Sequence, residues 1–97
     1  MRLTADQIQS IKQTVQASLG LPAQVRLFGS RLDDEAKGGD VDLHVSVAQP
    51  VDVWAVAQCA SRLERSLDGR KVDVRIWAHG QPELPIDRVA FAQGVVL

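Results

Sequence analysis

The chain predicts an α/β fold of the α+β kind, a small mixed sheet of three to four strands with helices packed on one face. Two stretches repeat apolar residues at helical spacing: Ile8, Ile11, Val15 and Leu19, and then Val53, Val56, Ala57, Ala60, Leu63 and Leu67. Residues 24–28, 40–47 and 71–77 instead alternate with period two. Each of these strands keeps one apolar face and one polar or mixed face. A parallel sheet covered on both sides reads as nearly continuous apolar runs, so the polar face is expected to be open.

Each element has its own boundary signals. Thr4 and Gln7 have the spacing of a capping box and open the first helix; Gly20 and Pro22 end it. The first strand, Gln24-Val25-Arg26-Leu27-Phe28, stops at Gly29-Ser30. Residues 31–39 are charged, end in two glycines and read as a loop. In the second strand Val41, Leu43, Val45 and Val47 point one way, and Asp40, Asp42, His44 and Ser46 the other. Pro50 and Asp52 open the second helix, and Asp68-Gly69 closes it. In the third strand Val72, Val74 and Ile76 oppose Asp73, Arg75 and Trp77. Residues 79–85 read as a turn, and a last helix is expected from about Ile86 to the end.

With 97 residues, the chain is expected to form one domain, residues 1–97, with no separate substrate-binding unit. Its formal net charge of −1 disfavours direct nucleic acid binding through a basic surface. Cys59 stands alone, so an internal disulfide is impossible and a reducing, cytoplasmic location is expected. No stretch approaches the ~20 apolar residues that span a bilayer.

Asp40 and Asp42 leave the same face of one strand, with Cα atoms about 6–7 Å apart. At an effective dielectric of about 20 their charges repel by roughly 2–3 kcal/mol. Asp73, on the open face of another strand, adds to this. Solvation, protonation or a divalent cation relieves such repulsion. Carboxylate oxygens suit Mg²⁺, and two such ions can stabilise the entering and leaving oxygens of a phosphoryl transfer. Gly29-Ser30, directly after a strand, allows close backbone approach and supplies a hydroxyl donor for an anion. Taken singly these features have plain alternatives: Gly-Ser is common in turns, and Asp-x-Asp on a strand is commonly its solvated face. The information lies in their combination and order.

That combination resembles a known family. Gly29-Ser30-Arg31, then Asp40-Val41-Asp42-Leu43, then Val72-Asp73-Val74 are similar to the signature of the nucleotidyltransferase superfamily typified by DNA polymerase β. The short chain looks like its minimal nucleotidyltransferase (MNT) branch, and Ala92 to Leu97 looks like that family's last helix. The spacer at residues 31–39 is one residue shorter than the family's more frequent length. The resemblance implies that Gly29 and Ser30 hold the triphosphate of ATP. It also implies that Asp40 and Asp42 bind two Mg²⁺, with Asp73 helping to hold the catalytic metal and activate the nucleophile. It further implies a partner: an MNT protein in a HEPN/MNT toxin–antitoxin system acts as antitoxin by AMPylation of a tyrosine on a HEPN-domain toxin. A hetero-oligomer follows. The alternatives are an antitoxin that works by protein–protein binding alone, or transfer to a small molecule or an RNA 3′ end.

Other residues keep two readings. Arg31 contacts phosphate or pairs with Asp33, Asp34 or Glu35. His44 is a general base or, more simply, a half-exposed structural histidine. Arg26 and Arg75 are expected to offset the acidic cluster. Cys59 reads as packed and inert, His79 as a loop residue, and Trp54 and Trp77 as core-edge or interface residues, with nucleobase stacking as the alternative. Phe91 and Val95 fall off the last helix's apolar stripe and are expected at the surface or at a partner interface.

Overall fold

The computed structural model describes residues 3–29 and 41–97. Of the sequence-predicted site, Gly29, Asp42 and Asp73 fall within these; Ser30, Arg31 and Asp40 lie outside the described residues. The element order is α1 (Ala5–Leu19), β1 (Ala23–Phe28), β2 (Val41–Val47), α2 (Val53–Ser66), β3 (Val72–Ala78), α3 (Pro85–Gln93) and β4 (Val95–Val96). The four strands form one mixed sheet in the order β3-β2-β1-β4. β1 runs antiparallel to β2 and to β4, whereas β2 and β3 are parallel. Parallel neighbours need a crossover, and α2 supplies it.

Local chemistry explains the helix boundaries. The Thr4 hydroxyl accepts from the Gln7 amide at 3.1 Å, while the Gln7 side chain accepts from the Thr4 amide at 2.8 Å. Two of the otherwise unpaired amides at the start of α1 are thus satisfied. Gly20 takes the left-handed conformation, φ 72°, and its N–H donates to the Gln16 carbonyl. Asp52 caps α2 through the Trp54 amide at 2.7 Å. At the far end of α2, Glu64 accepts from the Val72 amide at 3.0 Å, which ties the helix to the first residue of β3.

α1 and α2 cover one face of the sheet. Ile11, Val15 and Leu19 from α1, and Cys59 and Leu63 from α2, pack with Val25, Leu27, Val41, Leu43, Val45, Val47 and Val72 in a single apolar core. Cys59 is fully buried, as a packed and inert residue should be; burial pushes its thiol pKa up, against a hydrogen bond with Ser18 and the charge of Arg62. Val53, placed on the predicted apolar stripe of α2, is instead exposed at its first turn.

Helices do not cover one face only. α3 lies on the opposite face, and its inward residues are Asp87, Ala90 and Phe91. A charged residue interrupts its apolar stripe, and the strand face beneath carries Arg26, His44 and Arg75. Sequence alternation therefore read that face as open. Opposite charges on helix and sheet neutralise one another, which allows the burial. The last helix also ends earlier than expected. Past Gln93, Val95 and Val96 pair with Leu27 and Arg26 as an edge strand rather than continuing α3. Among the described residues no helix is long and apolar enough to cross a membrane.

Candidate active site

Strand register sorts the α3-side face into rows. One row reads Asp73, Asp42, Phe28 across β3, β2 and β1. The next, two residues along, reads Arg75, His44, Arg26. α3 sits over the second row and leaves the acids at its margin.

Asp42 and Asp73 are direct partners on parallel strands, so their Cα atoms lie about 4.8 Å apart. Two full charges at ~5 Å repel by roughly 3 kcal/mol at an effective dielectric of about 20, less where water intervenes. The Asp73 side chain retains 53% of its exposure, and Lys71 stands 3.9 Å from its Oδ1. A surface pair of that kind contributes about 0–1 kcal/mol. Asp42 is half-buried.

Gly29 closes the ledge at the end of β1. Its φ is 78°, a conformation disfavoured for any residue with a side chain. A Cβ placed there would overlap the Asp42 carboxylate and lie 3.2 Å from its Cγ. Glycine is therefore required twice, by backbone geometry and by the carboxylate packed on it. The sequence pointed to close backbone approach to an anion here; the structure shows the Gly29 backbone packed against the Asp42 carboxylate.

The neighbouring row is electrostatically closed. Asp87 and His44 are both 0% exposed. Arg75 donates to the Asp87 carboxylate through two nitrogens, Nε to Oδ1 at 3.0 Å and Nη2 to Oδ2 at 2.9 Å. The Leu84 amide donates to Oδ2 at 2.8 Å, and His44 Nε2 lies 2.8 Å from Oδ1. The Arg75 bonds hold the Asp87 carboxyl far below the usual carboxylate range, against burial, with the Leu84 amide and His44 assisting. Asp87 in turn raises the pKa of Arg75. An ionised carboxylate only accepts, so His44 Nε2 carries the hydrogen of that bond. His44 Nδ1 has no hydrogen-bond partner among the described residues. The imidazole edge meets Phe91 at a centroid distance of 4.9 Å, and Phe28 at 6.4 Å.

Several expectations need correcting here. His44 is a sealed structural residue, neither half-exposed nor open to substrate as a general base. Arg75 does not offset the acids of the open row; it pairs with Asp87. Arg26 lies over the Phe91 ring, 4.9 Å from its centroid, and its Nη1 donates to Ser46 at 3.5 Å. Phe91 is half-buried against the sheet, between Arg26, His44 and Trp77, while Val95 is exposed as expected. Trp77 is held at the sheet edge by its Nε1 hydrogen bond to the Gln81 carbonyl. Trp54 is 77% exposed.

Asp87 escaped sequence reasoning, although its signal is local. Pro85 opens the helix, and an acid two positions later is placed to reach back to the first amides, which the Leu84 bond does. Nothing in the one-dimensional pattern assigns its other oxygen contacts to β2 and β3.

Among the described residues no group of three or more His, Cys, Asp or Glu is placed to hold a metal ion. Half-buried Asp42 and half-exposed Asp73 present two hard carboxylates on one face of the sheet. That donor set fits Mg²⁺, which commonly takes one or two protein carboxylates and completes its octahedron with water and phosphate oxygens. Searched against protein-family models and curated proteins, the chain matches none.

Proposed function

We propose that the chain is a Mg²⁺-dependent nucleotidyltransferase of the minimal branch, its sheet a nucleotidyltransferase fold, which transfers AMP from ATP to a protein hydroxyl. The observation that carries this reading is the in-register pair Asp42–Asp73, with the Gly29 backbone packed against one carboxylate. Two like charges facing each other at the edge of a covered surface cost stability, and a triphosphate site supplies the cation that offsets them. Gly29, Ser30 and Arg31 receive the β- and γ-phosphates, and Asp40 joins Asp42 and Asp73 as a further acid. Bound Mg²⁺ would supply charge neutralisation of the phosphate oxygens and of the departing pyrophosphate. The acceptor oxygen attacks the α-phosphorus, the bond from that phosphorus to the bridging oxygen of the β-phosphate breaks, and Asp73, the exposed acid, takes the hydroxyl proton. The rest of the rate enhancement comes from orientation.

The acceptor we assign is a tyrosine of a HEPN-domain toxin, which makes the chain a cytoplasmic antitoxin working in a hetero-oligomer. Support comes from the surface: Ile86, Val89, Val95 and Val96 leave apolar area exposed on α3 and β4. The same apolar area supports a second reading, in which the chain neutralises its partner by binding alone. Incubation with α-labelled ATP, Mg²⁺ and the neighbouring gene product separates the two. Label on the partner, lost by at least about 100-fold in Asp42→Asn, is the expected result. Tight complex formation that survives in Asp42→Asn with no label moved would establish the binding reading instead.

A further inference from the structure

We infer that Asp87 is a positioning residue for the acid pair, acting through the strands beneath it; the inference rests on the reading of Asp42 and Asp73 as metal ligands. Asp87 belongs to α3, yet its carboxylate is bonded to both strands that carry the acids. Oδ1 accepts from His44 on β2, and both oxygens accept from Arg75 on β3. His44 follows Asp42 by two residues, and Arg75 follows Asp73 by two, so each bonded residue lies on the same strand face as its acid. His44 and Arg75 are themselves register partners. One carboxylate thus clasps β2 to β3 one row away from Asp42 and Asp73.

The geometry suits that role. Asp87 is fully buried, and the Leu84 amide anchors it to the first turn of its own helix. Arg75 approaches with a two-pronged fork, which fixes the carboxylate's orientation more tightly than a single bond would. The clasp faces a problem specific to the neighbouring row, because two like charges in register push their strands apart or turn their side chains away. Among the described residues β3 is an edge strand, paired only with β2. Its Asp73 therefore depends on this single neighbour for its position. Groups that orient metal ligands from behind change metal affinity by roughly 10–100-fold when removed.

The test uses Mn²⁺ alone as probe, followed by the electron paramagnetic resonance signal of the free ion, in the full chain. Circular dichroism at the same temperature establishes that each variant is folded. Wild-type protein is expected to bind Mn²⁺ saturably and Asp42→Asn to lose that binding. In folded Asp87→Asn the affinity is expected to fall about 10–100-fold. If Asp87→Asn does not fold, Arg75→Lys decides. It keeps the charge on a partly exposed side chain but loses the fork, with an expected weakening of ~10-fold. A folded Asp87→Asn, or failing that Arg75→Lys, that binds Mn²⁺ within twofold of wild type overturns the positioning role while leaving the metal site standing. Wild-type protein without saturable Mn²⁺ binding overturns both.

Discussion

Two rows of one sheet face, two residues apart on the same strands, follow opposite rules. The Arg75–His44–Arg26 row is covered by α3, and its carboxylate partner Asp87 accepts four hydrogen bonds and opposes the charge of Arg75. The Asp73–Asp42 row gathers like charges, keeps one of them half in water, and has a glycine where a side chain would intrude. Burial of the first row is a solution for stability. In the second row the like charges face each other in register, an arrangement less favourable than an oppositely charged pair. A bound cation of the kind proposed above would offset the like charges of the open row.

The largest expected effect comes from breaking the closed row. Asp87→Ala leaves Arg75 and His44 without their acceptor in a buried setting and is expected to cost about 3–5 kcal/mol, read from urea denaturation. The same residue sets an acid limb. Its folded pKa is depressed, so its contribution is fully present above the unfolded value of about 4 and is lost as pH falls below that toward the folded value. Stability of the wild type should therefore drop steeply below about pH 4, and Asp87→Asn should show a shallower dependence over that range.

Gly29→Ala tests the join between the rows. Positive φ and overlap with the Asp42 carboxylate together are expected to cost roughly 1–3 kcal/mol, with label transfer reduced more than stability explains. An alanine variant with unchanged stability and activity would show that Asp42 is free to turn away.

Asp73→Asn should have a smaller and opposite effect. Relief of the like-charge pair is expected to leave stability unchanged or raise it by up to about 1 kcal/mol, while transfer is lost. A loss of stability comparable to Asp87→Ala would erase the distinction between the rows. Trp54→Ala, remote from both, should stay within about 0.5 kcal/mol of wild type because the side chain is already in solvent.

Much of this was readable in one dimension, and the misses share a cause. Period-two alternation placed Asp42, His44, Asp73 and Arg75 on one face, and boundary chemistry at Thr4, Gly20 and Asp52 located two helices. Gly29 alone was not informative, because glycine after a strand serves many turns; its order with the two acids drew attention to it. Alternation says which face a residue joins, not what covers that face. α3 hid because its inward surface is Asp87, Ala90 and Phe91, a stripe that looks polar until Arg75 and His44 are placed opposite it. The partnership of Arg75 was misread for the same reason: its acceptor is twelve residues away in sequence, and Asp73 is two away. β4 escaped because two residues give no period, and only pairing with Arg26 and Leu27 defines them as a strand.

The central claim is that Asp42 and Asp73, beside Gly29, form a seat for a metal–triphosphate. Calorimetric titration of the chain with MgATP, in wild type and in Asp42→Asn at equal folded fraction, tests it most directly. Saturable binding in the wild type that disappears in Asp42→Asn is the expected result. No heat in the wild type over a millimolar range, with binding equally silent by ³¹P resonance, or equal affinity in the two proteins, would contradict it.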